Sequence, residues 1–143
     1  MKIGVSSCLL GYCCKYDGKS NYNANIIDLS QEHELIPICP EVLGGLSIPR
    51  FPAEIINGKV INTNGDDVTE NYYLGANKAL EILKNEGVEA VILKSKSPSC
   101  GINKIYDGTF SHTLINGNGV AAQLFIENNI KVYDENTFKD LLK

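Results

Sequence analysis

The sequence has no excess of positive charge and no long apolar run. Its 143 residues carry 13 Lys and Arg against 17 Asp and Glu, a formal net charge of −4. Binding a long phosphate backbone requires a basic surface, so this balance argues against long nucleic acid as a partner. No segment approaches the roughly 20 apolar residues of a membrane span, and the start of the chain lacks a signal-peptide pattern. We therefore expect a cytoplasmic protein with no membrane partner.

The sequence also lacks the common patterns of zinc and dinucleotide sites. No C-x-x-C pair occurs, histidine occurs only twice, and neither the H-x-E…P-C-x-x-C signature of nucleobase deaminases nor G-x-G-x-x-G after a strand is present. Hydrophobic residues make up 43% and charged residues 21%, which excludes disordered, collagen-like and coiled-coil classes. The length predicts one domain over residues 1–143, large enough to hold a core without disulfides.

Five cysteines are present, and they are the feature that requires explanation. An odd number cannot form a complete set of disulfides, and stable disulfides are rare in the cytoplasm. Free cysteine is also among the most buried residue types, so core packing is an alternative for each of the five. The surroundings of each cysteine in the chain must therefore decide its role.

Segments of strand and helix pattern alternate along the chain. Strands are predicted over 2–7, 35–39, 90–94 and 130–133, a hairpin over 53–62 around Asn57-Gly58, and helices over 25–31, 67–85 and 119–128. In the helix over 67–85 we expect Thr69 as the N-cap and Tyr73, Ala76, Leu80 and Leu83 on the buried face. This alternation predicts a compact, three-layer, Rossmann-like α/β single domain with a mainly parallel sheet.

Three of the cysteines follow predicted strands. Cys8 comes directly after the first strand, Cys39 ends the second, and Cys100 follows the strand over 90–94. Ligands of parallel sheets bind beyond the carboxyl ends of the strands, so we expect the three cysteine loops at that edge. Three thiolates with an open fourth position suit either a catalytic zinc or an iron–sulfur cluster. Soft ligands without a credible imidazole favour the iron–sulfur cluster.

The same loops contain candidates for proton transfer and substrate binding. A carboxylate two residues after Cys39, and hydroxyls just before Cys100, would face the rim of such a site. Each also has a plain structural interpretation as a surface carboxylate, a Ser-Pro turn or an ion pair. By position we predict Glu41 as a proton-transfer group, Ser97 and Ser99 as holding a water or a substrate heteroatom, and Asp17, Lys15 and Arg50 as substrate-binding, with a structural ion pair as the alternative for Arg50.

Six segments of the chain match one family pattern: 5–18 with C-L-L-G…C-x-Y-D-G, 39–45, 49–54, 93–101 ending in S-P-S-C-G, 106–110 and 117–120. With these segments the chain resembles the 2-thiouracil desulfidase family over nearly its whole length. The resemblance implies a compact α/β protein with a [4Fe–4S] cluster held by three cysteines, one iron being free of protein ligands. It also implies removal of sulfur from a thiolated pyrimidine with release of sulfide, for which we expect hydrolytic, non-redox C–S cleavage.

Carried over residue by residue, the resemblance implies Cys8, Cys39 and Cys100 as cluster ligands. Glu41 and Ser97 become the catalytic assistants, and Cys13 departs from the family pattern. The implied partner is a thiolated pyrimidine base or nucleotide, bound by a monomer or small homo-oligomer. Two alternatives stay open: a zinc-dependent hydrolase or deaminase using the same three thiolates, and a non-enzymatic iron–sulfur redox sensor.

Overall fold

The structure, a computed structural model, describes residues 1–142. Its strands are β1 (Lys2–Ser6), β2 (Glu34–Ile38), β3 (Ala53–Ile56), β4 (Lys59–Asn62), β5 (Ala90–Leu93), β6 (Lys104–Tyr106), β7 (Leu114–Asn116) and β8 (Lys131–Asp134). Its helices are α1 (Ala24–Ile27), α2 (Pro40–Leu43), α3 (Thr69–Glu86) and α4 (Val120–Glu127), with 3₁₀ helices at Ser7–Leu10, Asp28–Gln31 and Phe138–Leu142. Within residues 1–142, no helix combines the length and the apolarity needed to cross a membrane.

A parallel four-stranded sheet in the order β2-β1-β5-β8 forms the centre of the molecule. Strands β1 and β5 lie inside it and are buried on both faces, which explains the continuously apolar sequence of β5 and the apolar centre of β1, Ile3-Gly4-Val5. On one face, α3 and α4 pack against Val91 and Leu93. On the other face, Ile26 and Phe138 pack against Ile3. The predicted three-layer α/β architecture is confirmed.

The predicted helices and turns hold, with corrections at particular residues. The Asn57-Gly58 turn joins β3 to β4, and both residues adopt the positive φ of a type I′ hairpin. Thr69 is the first residue of α3 and not its N-cap, because its hydroxyl accepts the Val60 N–H instead. Tyr73 is 52% exposed, whereas its neighbour Tyr72 is buried. The hairpin β6–β7 was not predicted.

Helices α2 and α3 approach each other at two glycines. A Cβ on Gly75 would lie 1.7 Å from the Pro40 carbonyl oxygen, and one on Gly44 would lie 2.0 Å from the Asn71 carbonyl oxygen. Real Cβ atoms do not tolerate such distances to backbone, so only glycine permits this contact. Helix α2 carries Glu41, and the contact therefore fixes where that carboxylate stands.

We expect Gly75→Ala to lower the free energy of unfolding by about 3 kcal/mol, because the added methyl group forces α2 away from α3. The measurement is urea unfolding followed by circular dichroism. The control is Lys78→Ala, one turn further along α3 at an exposed position. A Gly75→Ala protein as stable as the control would contradict the close contact.

Candidate functional site

The structure brings the three predicted cysteine loops together at the carboxyl edge of the sheet. Cys8 lies in the 3₁₀ helix after β1, Cys39 is the N-cap of α2 after β2, and Cys100 ends the loop after β5. Because β2, β1 and β5 are adjacent and parallel, their carboxyl ends meet. All three cysteines line one cavity of about 540 Å³.

A fourth cysteine, Cys14, also enters this cavity. Its thiol lies within hydrogen-bonding reach of the sulfurs of both Cys8 and Cys39. The hydrogen bond from Cys14, helped by the Asn21 amide, lowers the pKa of Cys8 to about 7. The pKa of Cys39 is lowered for the same reason, and that of Cys14 is raised. The lowered pKa values favour the thiolate form of Cys8 and Cys39, which is the form that binds metal.

Cys100 lies deeper in the protein. Burial raises the pKa of its thiol to about 12, although a hydrogen bond with Ser6 acts in the opposite direction. Its loop is held by the Ser97 hydroxyl oxygen, which accepts the backbone N–H groups of Ser99 and Cys100 at 3.0 Å each. Such a turn explains why Ser-Pro precedes this cysteine.

The donor set fits an iron–sulfur cluster better than a single ion. All five cysteines are free thiols, and four of them line the cavity, from three separate loops. Within residues 1–142, no three Cys, His, Asp or Glu side chains are arranged to hold one metal ion. Iron–sulfur clusters are held by cysteine thiolates, so the chemistry of this lining fits a cluster.

A carboxylate is fixed beside these thiols. The Nε of Arg50 donates to Glu41 Oε2 at 2.9 Å, and Nη2 donates to the same oxygen. Ser97 Oγ donates to the other oxygen, Oε1, at 3.4 Å. The Arg50 and Glu41 side chains are only 8% and 15% exposed, so the pair is shielded from water. The Glu41 carboxylate is thereby held in one orientation with Oε1 toward Ser97.

The family follows from comparison with known proteins. A family model described as 2-thiouracil desulfurase matches residues 3–137. This chain belongs to the 2-thiouracil desulfurase family.

Two known proteins of similar sequence align with almost the whole of this desulfurase-family chain. The uncharacterized protein YbbK of Bacillus subtilis (strain 168) is 45% identical over 150 residues, which span 98% of this chain and 99% of YbbK. Among solved structures, the [4Fe-4S]-dependent thiouracil desulfidase TudS superposes with a TM-score of 0.93 at 38% identity. That superposition covers 99% of this chain and 95% of TudS, and it confirms the fold.

Three lysines line the cavity, among them Lys15, whose contact with substrate stays a prediction. Its Nζ lies 3.8 Å from Asp17 Oδ2. Lys94 also lines the cavity, and its Nζ pairs with Glu135 at 2.7 Å. Although burial acts against it, the hydrogen bonds from Lys94 and the Ser95 N–H lower the pKa of Glu135. Lys96 is the third lysine of the lining.

Two predicted substrate-binding residues are not brought to the cavity wall. Ser99 is fully buried, and its carbonyl oxygen accepts two N–H groups in the first turn of α4, those of Ala121 and Ala122. Asp17 lies behind Lys15 and accepts the Lys19 N–H. Arg50 lines the cavity, but its nitrogens donate to Glu41 and to the carbonyl oxygens of Cys14 and Ser47. Substrate contact by these three residues stays a prediction.

Sequence reasoning missed one wall of the desulfurase-family cavity. Tyr106, Phe110 and His112 all line it from the unpredicted hairpin β6–β7. The Tyr106 and His112 rings meet edge to face with centroids 5.7 Å apart. The Tyr106-Asp107-Gly108 sequence was a turn signal at this point, but it did not indicate which cavity the turn would face.

Proposed function

We propose that this protein removes sulfur from a thiolated pyrimidine by hydrolytic, non-redox C–S cleavage, with a [4Fe–4S] cluster held by Cys8, Cys39 and Cys100. The observation that carries the proposal is one cavity lined by these three thiols and by the Glu41 carboxylate. Membership of the desulfurase family and the close likeness to TudS, a [4Fe-4S]-dependent thiouracil desulfidase, support both the substrate class and the cluster. When bound, the cluster would supply a Lewis-acidic iron, free of protein ligands, with affinity for sulfur.

The protein's own side chains supply proton transfer and positioning. Glu41 Oε1 accepts a proton from a water molecule, which attacks the carbon of the thiocarbonyl group. The C–O bond forms, the C–S bond breaks, and sulfur leaves as sulfide. Because one C=S group and one water give one C=O group and one H₂S, no electron donor is required. Arg50 acts in this scheme as a positioning residue, since it holds Oε2 and leaves Oε1 for the water.

The lysines of the cavity lining favour a substrate that carries a phosphate. Lys15 and Lys94 line the cavity with carboxylate partners, Asp17 at 3.8 Å and Glu135 at 2.7 Å, and Lys96 lines it without an ion pair to another of residues 1–142. The Lys96 charge, with Lys15 held only at 3.8 Å, attracts an anion in spite of the net acidic charge of the protein. The proposed substrate class is therefore a thiolated pyrimidine nucleotide in preference to the free base. A small substrate and five free thiols also agree with the proposed cytoplasmic location.

The test is an anaerobic assay of the reconstituted protein with 2-thiouracil, 4-thiouracil and their nucleotides. We expect stoichiometric sulfide and the matching oxo-pyrimidine, with a lower KM for the nucleotides than for the bases. Sulfide without the oxo-pyrimidine would contradict hydrolysis. A redox sensor would release no sulfide from any of these compounds, and one zinc per chain without inorganic sulfide would favour the hydrolase or deaminase alternative.

A further inference from the structure

The cavity has a wall that the proposed chemistry does not use. Residues 107–113 connect β6 to β7, and within this loop Phe110 and His112 line the cavity. Together with Tyr106 they bring three aromatic rings to the cavity lining. Phe110 is 37% exposed and lines the cavity. Aromatic rings at an opening of this size are suited to stacking against a planar heterocycle.

The loop is held by a buried carboxylate from another hairpin. Glu54 lies on β3 and is only 9% exposed. Its Oε1 accepts the backbone N–H of Gly108 at 3.0 Å and that of Phe110 at 3.2 Å. Hydrogen bonds between a carboxylate and backbone N–H groups are charge-assisted and strong. One oxygen atom therefore fixes two alternate residues of the loop.

The loop backbone adopts conformations that the sequence does not favour by itself. Phe110 and His112 both have positive φ, 57° and 60°, which is uncommon for residues other than glycine. Gly108 also has positive φ, and a Cβ there would lie 2.7 Å from Ile56 Cγ1 and 2.9 Å from the Ile55 carbonyl oxygen. Such a backbone persists only where its surroundings determine it. Glu54 supplies two of the hydrogen bonds to backbone N–H groups of this segment; the Thr109 N–H donates to Asp107 Oδ1 and the Asp107 N–H to the Thr113 carbonyl oxygen.

We propose that Glu54 is a positioning residue that holds residues 107–113 as a substrate-binding wall, with Phe110 as the ring that stacks on the pyrimidine. The inference rests on the proposed function and deepens it, because it names a specificity-determining side chain. Glu54 also lines the cavity, but its Oε1 is bound by the two loop N–H groups, and in this proposal proton transfer belongs to Glu41. Its loss therefore weakens binding and leaves the reacting groups in place.

The experiment compares Glu54→Ala, Glu54→Gln and Phe110→Ala in the reconstituted enzyme. For Glu54→Ala we expect KM for 4-thiouridine monophosphate to rise about ten- to a hundredfold, with kcat within about threefold of wild type. The Kd for uridine monophosphate, which requires no turnover, should rise in parallel. Glu54→Gln keeps a carbonyl acceptor and should restore most of the affinity. Phe110→Ala should raise KM and Kd while the loop stays in place.

A second measurement follows the loop itself in the cluster-free protein. Hydrogen exchange at the Gly108 and Phe110 amides should quicken in Glu54→Ala and stay at the wild-type rate in Phe110→Ala. The control is Glu89→Ala, which removes the same charge from an exposed position and should change neither rate nor affinity.

Three outcomes would overturn the proposal. Unchanged exchange in Glu54→Ala contradicts the anchoring of the loop, and faster exchange with unchanged Kd contradicts its role in binding. If Glu54→Ala fails to fold, wild-type Kd in Phe110→Ala still excludes the stacking wall. Absence of sulfide release by wild type would refute the proposed function instead, and the exchange and product-binding results would remain interpretable.

Discussion

Single alanine substitutions at Cys8, Cys39 and Cys100 are expected to remove the iron from the purified protein. Each thiolate supplies one of three attachments, and the three come from separate loops; Cys14, the fourth thiol of the cavity, lies in the Cys8 loop and is itself hydrogen-bonded to Cys8 and Cys39. Changes in the outer shell of metal sites already cost about 10- to 100-fold in affinity, and loss of a direct ligand should exceed that. The wild-type protein should contain about four iron and four inorganic sulfide per chain, the content of one cubane cluster.

The matched control for these variants is Cys13→Ala. Cys13 is exposed and does not line the cavity, although it is adjacent to Cys14 in the chain. We expect it to keep wild-type iron and the brown colour of the anaerobic protein. Thermal unfolding of each cluster-free protein separates a lost ligand from a lost fold. A full iron content in any one of the three ligand variants would refute that ligand.

Much of the fold could be predicted because burial leaves a periodic pattern in the sequence. Strand β5 is buried on both faces and is continuously apolar, and α3 repeats its apolar residues at helical spacing. Hairpin β6–β7 leaves no such pattern, since of its six strand residues only Ile105 is buried. Tyr73 was wrongly placed because it and Tyr72 are adjacent and chemically alike. Only the packing of α3 decides between them.

The site could be predicted in part for a similar reason. Cys8, Cys39 and Cys100 could be placed at one edge of the sheet because each follows a strand. The carboxyl ends of neighbouring parallel strands lie at the same edge. Nothing local indicates that Cys14 faces the cavity and Cys13 faces solvent, because adjacent side chains differ only in direction. From the sequence alone, Arg50 could bind either an anionic ligand or a carboxylate of the protein itself. Its partner on α2 became clear only from tertiary structure.

Glu41→Gln is expected to lower kcat by about 10²- to 10⁴-fold, the usual contribution of a general base. The amide oxygen of glutamine still accepts the Arg50 hydrogen bond, so the shielded guanidinium keeps a partner and the local structure is preserved. The amide cannot take a proton from water at Oε1, and that is the step removed. Steady-state sulfide release gives kcat, and we expect KM to change by less than about threefold, since Glu41 holds the water and not the pyrimidine.

Iron content separates this effect from damage to the cluster site. Glu41 is two residues from Cys39, so the Glu41→Gln protein must retain wild-type iron and inorganic sulfide for the kinetic result to report proton transfer. Glu81→Gln makes the same chemical change on the exposed side of α3 and should leave kcat and iron unchanged. Wild-type kcat in Glu41→Gln would remove the carboxylate from the mechanism. Iron loss in that variant would instead show that Glu41 supports the Cys39 loop. Both roles are open to this residue because Cys39 is the N-cap of α2 and Glu41 lies in its first turn.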